Sequence, residues 1–216
     1  MDTQKTVIFD FDGTLANTLE LVAKIYNEHA QSFGAKQIDM NELDEYRKLG
    51  YKKAMKKAGI RWTVLPRLVL FISREMKSHM AGVKPYDGIV EVLKELQDNH
   101  VRIGVLTSND AELVGDFFVA HGFPHFDFVV SEKTMFGKEK ALRRIMKRHA
   151  LAPKHVIYVG DEPRDITASR KAGIQVIGVS WGVGGHYGLE ATPPDKLVDS
   201  MSQLKEAIAD LTTITS

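Results

Sequence analysis

Thr6–Leu15 reads TVIFDFDGTL, and the rest of the chain is interpreted outward from it. Val7, Ile8 and Phe9 form a short uninterrupted apolar run, the pattern of a parallel strand covered on both faces. Gly13 then permits a sharp turn. Asp10 and Asp12 therefore fall at the carboxyl end of a buried strand, where open α/β sheets bind ligands. Two carboxylates separated by a single residue at such a place suit phosphoryl transfer, one as nucleophile and Mg2+ ligand, the other as proton carrier. On this stretch alone, an ordinary strand followed by an Asp-Gly turn has equal weight.

Beyond the turn, Asn17 to Phe33 carries Leu21, Val22, Ile25, Tyr26 and Phe33 on one stripe, which predicts a helix. Asn17 and Glu20 are spaced as a capping box and Gly34 as the terminator. Helical segments around Asn41–Lys48, Tyr51–Ala58 and Thr63–Met80 follow, with turns at Gly50 and Gly59 and Pro66 near the start of the last. No strand pattern interrupts them, so this stretch is expected to fold as a helical cap joined to the core through Leu15–Thr18 and Gly82–Gly88.

From Asp87 the pattern alternates helix and strand, which predicts right-handed crossovers and a parallel sheet. Strands are expected at Val101–Leu106, Phe126–Ser131, Val156–Gly160 and Gln175–Val179, with Leu197 and Val198 as a short edge strand. Ser108 or Asn109 is the expected cap of the helix that buries Leu113, Val114, Phe117 and Phe118. Later helices are expected from about Gly137, over Pro163–Ala172, and over Ser202–Leu211, and Gly182–Gly188 reads as a glycine-rich loop. The fold class is α/β, a Rossmann-like parallel sheet core with an inserted α-helical cap domain. Residues 1–15 and 88–216 are assigned to the core and residues 16–87 to the cap.

With 29 basic against 28 acidic side chains, the charge balance favours neither nucleic acid nor an anionic membrane as partner. The absence of cysteine excludes a disulfide framework, a thiolate zinc site and a cysteine nucleophile. MDTQKTVIF at the N-terminus lacks the basic, apolar and small-residue order of a signal peptide, so a cytoplasmic setting is expected. The most apolar helical candidate, Val64–Ile72, is broken by Pro66 and Arg67 and falls well short of the roughly 20 residues a membrane span needs.

Three strands end in polar groups of different kinds: Asp10 and Asp12, then Thr107, Ser108 and Asn109, then Asp161 and Asp165. In a parallel sheet these ends are neighbours. A hydroxyl and the N–H groups at a helix start can hold phosphate oxygens, and carboxylates from two strands can share a Mg2+. A lysine would offset repulsion among the carboxylates. Lys138 has the best position for it, with Lys133 and Lys140 as alternatives.

Taken together these residues resemble the haloacid dehalogenase-like hydrolase superfamily, and the order of elements resembles its phosphoglycolate phosphatase-like branch with a small helical cap. The match covers nearly the whole chain. DFDGT at Asp10–Thr14 resembles the first motif, VLTSN ending at Asn109 the second, Lys138 the third, and GDEPRD at Gly160–Asp165 the fourth. The resemblance implies Asp10 as nucleophile, Asp12 as acid/base, and Thr107, Ser108, Asn109 and Lys138 around the phosphate. It implies Mg2+ held by Asp10, Asp161 and the Asp12 carbonyl oxygen, with Asp165 in support. Asp12 also favours ester cleavage over dehalogenation.

There are departures from the family pattern. Asn17 stands where an aspartate is frequent, and Glu139 follows Lys138 in place of proline. Among the cap's basic residues, Arg47 is singled out as a substrate contact, whereas Lys48, Lys52, Lys53, Lys56 and Lys57 read as a solvated face. His121 and His125 straddle Gly122 and Pro124, which does not suit a metal pair, and Trp181 either borders the site or packs its loop. The leading expectation is a Mg2+-dependent phosphatase, monomer or homodimer, acting on a small phosphorylated metabolite through an aspartyl-phosphate. A phosphomutase would use the same two aspartates. A phosphate-responsive binding module would need neither the cap nor Asp12.

Overall fold

A computed structural model describes residues 4–213 other than 50, 135, 136 and 191. Its strands are β1 (Thr6–Phe9), β2 (Arg102–Thr107), β3 (Phe128–Ser131), β4 (Val156–Gly160), β5 (Gln175–Val179) and β6 (Lys196–Val198). They form one sheet in the order β3-β2-β1-β4-β5-β6, and every neighbouring pair is parallel.

β1 lies inside the sheet with all four residues fully buried, which is why its apolar run shows no alternation. Successive side chains still point to opposite faces. Val7 and Phe9 pack with residues of α5 (Ile89–Asp98), α6 (Ala111–Ala120) and α10 (Met201–Thr213). Ile8 packs on the other face with α7 (Lys138–Arg148) and α8 (Pro163–Ala172). Ile8 and Phe9 each contribute roughly 1.5–3 kcal/mol by that burial. The chain runs from β1 outward to β2 and β3, then crosses back to β4 on β1's other side. The strand order therefore reverses between β1 and β4, and a crevice opens at their carboxyl ends.

Between β1 and α5 lies the cap, formed by α1 (Leu19–His29), α2 (Leu43–Leu49), α3 (Tyr51–Lys57) and α4 (Leu65–His79). It has a small core of its own in Tyr26, Ala30, Phe33, Tyr46, Ala58 and Leu68. The two connections to the sheet domain run side by side. Ala16 bridges to Pro85 in antiparallel fashion, the Asn17 N–H donates to the Lys84 carbonyl at 2.9 Å, and the Tyr86 N–H donates to the Leu15 carbonyl at 3.1 Å.

Several local expectations are corrected. α1 starts at Leu19 behind Thr18 with no side-chain cap bond, because Asn17 is committed to the paired connections rather than to a box with Glu20. α1 also stops at His29, and a 3-10 turn over Ala30–Phe33 leads to Gly34 at φ 65°. Neither Ser108 nor Asn109 caps α6; Asp110 does, accepting from the Glu112 N–H. The glycine-rich loop contains a short helix, α9 (Gly185–Glu190). The turn assigned to Gly50 lies outside the described residues. Among those described, no helix is long and apolar enough to cross a membrane.

Candidate active site

Asp10 follows directly on β1, and its backbone N–H donates to the Val159 carbonyl of β4 at 2.8 Å, which fixes it at the crevice. Phe11, fully buried, lies edge-on to Phe117 and Phe118 and anchors the backbone between the two carboxylates. Gly13 turns the chain at φ 71°. A Cβ there would lie 2.4 Å from Asp161 Oδ2, so both the turn and the close approach require glycine.

Lys138, at the first turn of α7, is buried with its ammonium 2.5 Å from Asp10 Oδ2 and 2.5 Å from Asp165 Oδ1. Lys133 is exposed near Asp110, and Lys140 is exposed on α7. Of the three lysines, Lys138 is the one brought to Asp10. Asp165 is held a second time, its Oδ2 accepting the Glu162 N–H in a capping box at the start of α8.

The two carboxylates of the first motif differ in environment. Burial pushes the Asp10 carboxyl up to about 6 despite Lys138 beside it. Burial, then repulsion from Asp10, pushes Asp12 up to about 7. Asp12 Oδ2 accepts from the Asn109 amide at 2.7 Å, and its Oδ1 is buried without a partner. Asn109 thus serves Asp12, while its own N–H donates to Thr107 Oγ1 at 3.0 Å and its carbonyl accepts from Ser131 Oγ at 2.6 Å. Thr107 is fully buried at the end of β2, and Ser108 is exposed.

Asp10, Asp161 and Asp165 each offer an oxygen within 4.8 Å of the others, an all-oxygen set that suits a hard cation such as Mg2+. Asp161 makes the sharper test of fit. It is 1% exposed yet, among the described residues, the hydrogen bonds it receives come from neutral donors, Thr14 Oγ1 at 3.3 Å and the Val183 N–H at 2.7 Å. Burial and the neighbouring Glu162, Asp165 and Asp10 carboxylates raise its pKa well above the ordinary range. A buried carboxylate without a paired cation is expensive, and a divalent cation held by these carboxylates would offset that expense.

The family model described as haloacid dehalogenase-like hydrolase matches residues 7–179. The chain belongs to this family. It is an enzyme, a phosphatase-type hydrolase. It is 31% identical over 208 residues to a phosphoglycolate phosphatase of Synechococcus elongatus, covering 96% of this chain and 98% of the relative. A pyrophosphatase of Bacillus mycoides is 25% identical, covering 92% and 94%. Among solved structures, a predicted phosphatase from Clostridium acetobutylicum superposes with TM-score 0.73 at 24% identity, covering 96% and 99%. A haloacid dehalogenase-like hydrolase from Streptococcus pneumoniae gives 0.72 at 19%, covering 96% and 100%. At these identities the structures establish the shared fold alone.

This haloacid dehalogenase-like hydrolase also brings its cap to the crevice. Arg47 on α2 donates from Nη1 to the Trp181 carbonyl at 3.1 Å. The Tyr86 hydroxyl donates to the same carbonyl at 3.1 Å, and the Trp181 indole N–H donates to the Thr14 carbonyl at 3.3 Å. Trp181 thus joins the first-motif turn, the connection and the cap. A Cβ on Gly185 would sit 2.4 Å from the Arg47 carbonyl oxygen, so the start of α9 takes α2 at close range. Sequence reasoning left Trp181 undecided and missed Tyr86. Its one signal was a tyrosine inside the predicted second connection.

Proposed function

We propose that this chain is a Mg2+-dependent phosphatase hydrolysing a small-molecule phosphate monoester through a phosphorylated Asp10. The observation that carries the reading is the contrast between Asp10 and Asp12. One carboxylate is clamped by the Lys138 ammonium at 2.5 Å, which favours its ionised form; the other accepts the neutral Asn109 amide at 2.7 Å, and burial and repulsion from Asp10 favour a proton on it. Two carboxylates with two environments divide into nucleophile and acid/base.

Asp10 attacks phosphorus, forming an O–P bond as the bond to the leaving oxygen breaks, and Asp12 gives its proton to that oxygen. Water then attacks the aspartyl-phosphate and passes a proton to Asp12, and inorganic phosphate departs with Asp10 regenerated. Lys138 neutralises Asp10 and faces the phosphoryl oxygens, Thr107 and Ser108 border them, and Asn109 aims Asp12. Asp10, Asp161 and the Asp12 carbonyl oxygen, with Asp165 in support, would hold Mg2+, which when bound would neutralise charge gathered at the phosphoryl group.

Residues 16–87 act as the lid that excludes water and selects the substrate, with Arg47 as the contact for an anionic leaving group. The names of the relatives make phosphoglycolate and pyrophosphate the first compounds to test. A cytoplasmic monomer or homodimer completes the reading. The test is a screen of small phosphorylated metabolites, including both compounds and sugar phosphates, with Mg2+ and with Asp10→Asn as control. Steady release of inorganic phosphate by the wild type alone supports the reading. Phosphate moved between sugar positions without release would point to a mutase, and activity retained in Asp10→Asn would refute the nucleophile.

A further inference from the structure

The strap that leads from β5 into α9, Trp181 to Gly185, touches the site on one side and the cap on the other. On the core side its backbone holds Asp161, which is buried. The Val183 N–H donates to Asp161 Oδ2 at 2.7 Å. A Cβ on Gly182 would collide with the same carboxylate, and one on Gly184 with the Asp161 carbonyl oxygen. Thr14 Oγ1 donates to Oδ1 at 3.3 Å, so each carboxylate oxygen has a donor, and the strap and the first-motif turn together set how the side chain points.

On the cap side the Trp181 carbonyl accepts from Arg47 Nη1 of α2 and from the Tyr86 hydroxyl, each at 3.1 Å, and α9 packs against α2. The ends of the strap are tied to one carboxylate: the Ser180 hydroxyl donates to Asp199 Oδ1, and His186 Nδ1 lies 3.1 Å from the same oxygen. Only Gly182 separates the carbonyl that Arg47 and Tyr86 hold from the N–H that holds Asp161. A segment this short, fastened at both ends and packed on both faces, passes a displacement on through its hydrogen bonds.

On the Mg2+ reading above, we propose that Trp181–Gly185 is a positioning segment that ties the aim of Asp161 to the seat of the cap. Groups bonded to a metal-ligating carboxylate fix its orientation and thereby the affinity of the site. The Val183 N–H does this for Asp161, and it is itself held in place when Arg47 and Tyr86 hold the Trp181 carbonyl. Coupling between two sites is reciprocal, so loosening the cap weakens metal binding and filling the metal site steadies the cap. Asp161 is then fully aimed only beneath a seated cap.

The experiment measures Mg2+ affinity by calorimetry and hydrogen exchange of the α2 amides, on the full chain. Tyr86→Phe removes one of the two donors to the Trp181 carbonyl and changes no metal ligand. It should weaken Mg2+ binding about 3- to 10-fold, as for loss of one neutral hydrogen bond, and Arg47→Ala should weaken it at least as much. A merely structural role for these side chains would lower Tm and leave the affinity alone. Saturating Mg2+ should slow α2 exchange in the wild type, and less so in Tyr86→Phe. In metal-free protein, Asp161→Ala should speed α2 exchange, because the strap loses its anchor.

Wild-type Mg2+ affinity in both Tyr86→Phe and Arg47→Ala would overturn the coupling and leave the phosphatase standing. If the wild type binds no Mg2+, the metal reading falls and the metal-free comparison decides the strap. Faster α2 exchange in Asp161→Ala would keep the tie between Asp161 and the cap, and unchanged exchange would overturn it.

Discussion

Asn109 donates its side-chain amide to Oδ2 of Asp12 at 2.7 Å, joining the turn after β2 to the turn after β1. A neutral donor on one oxygen stabilises the ionised acid/base, and Asp12 still sits at about 7 because burial outweighs it.

Asn109→Ala should therefore lower kcat about 10-fold with little change in KM, the size of one lost hydrogen bond. The pH profile moves as well. With the donor gone, the Asp12 carboxyl rises further, and the pH limb that reports it shifts upward. A profile unmoved in kcat and in pH would remove Asn109 from this role.

Lys138 is the shared partner of two buried carboxylates. Removing one member of such a group leaves the others uncompensated, so Lys138→Met should cost about 3–5 kcal/mol of folding stability in metal-free protein. Adding Asp10→Asn should recover part of the loss, a coupling that denaturant titration of the four proteins measures. Strict additivity would mean that the lysine and Asp10 do not stabilise each other.

Mg2+ should raise Tm, and more at high pH than at low. Carboxyls whose folded pKa lies above the ordinary value, Asp10 at about 6 and Asp12 at about 7, hold protons in the folded state that the unfolded chain has released. Metal-free stability thus falls as pH rises through that window, from about 4 to about 7. Mg2+ competes with those protons and reverses the loss. The Tm gain should be larger at about pH 8 than at about pH 5 and absent in Asp161→Ala; equal gains at both would contradict the assignment.

Arg47 reaches over the crevice from α2 to the Trp181 carbonyl. Arg47→Ala should lower kcat/KM for the preferred anionic metabolite about 10- to 100-fold and for an aryl phosphate far less. Comparable ratios for the two substrates would reduce Arg47 to a strut between cap and core.

Much of the fold was legible because its signals are local. β4, α8 and β5 fall at the expected residues, each an apolar or periodic run, the first two closed by Asp161 and Gly173. The site's strand-end residues were legible for the same reason, since parallel topology brings the ends of separate strands together. The cap of α6 was misread because Asn109, an apt capping residue by type, is drawn to a distant carboxylate instead. α9 was missed because GVGGHYG has no helical period; it packs against α2, a part of the chain far from it in sequence. The meeting of Arg47, Tyr86 and Trp181 spans 134 and 95 residues, and no pattern within either segment announces it.

The chain leaves the sheet domain and returns to it at one place, with Ala16 beside Pro85. The entropy of closing the excursion between them grows only slowly with its length, and the paired backbone there already fixes both ends. The excursion is therefore a cassette. The seam thus lets an insert of another length join the sheet without lengthening or shifting a strand.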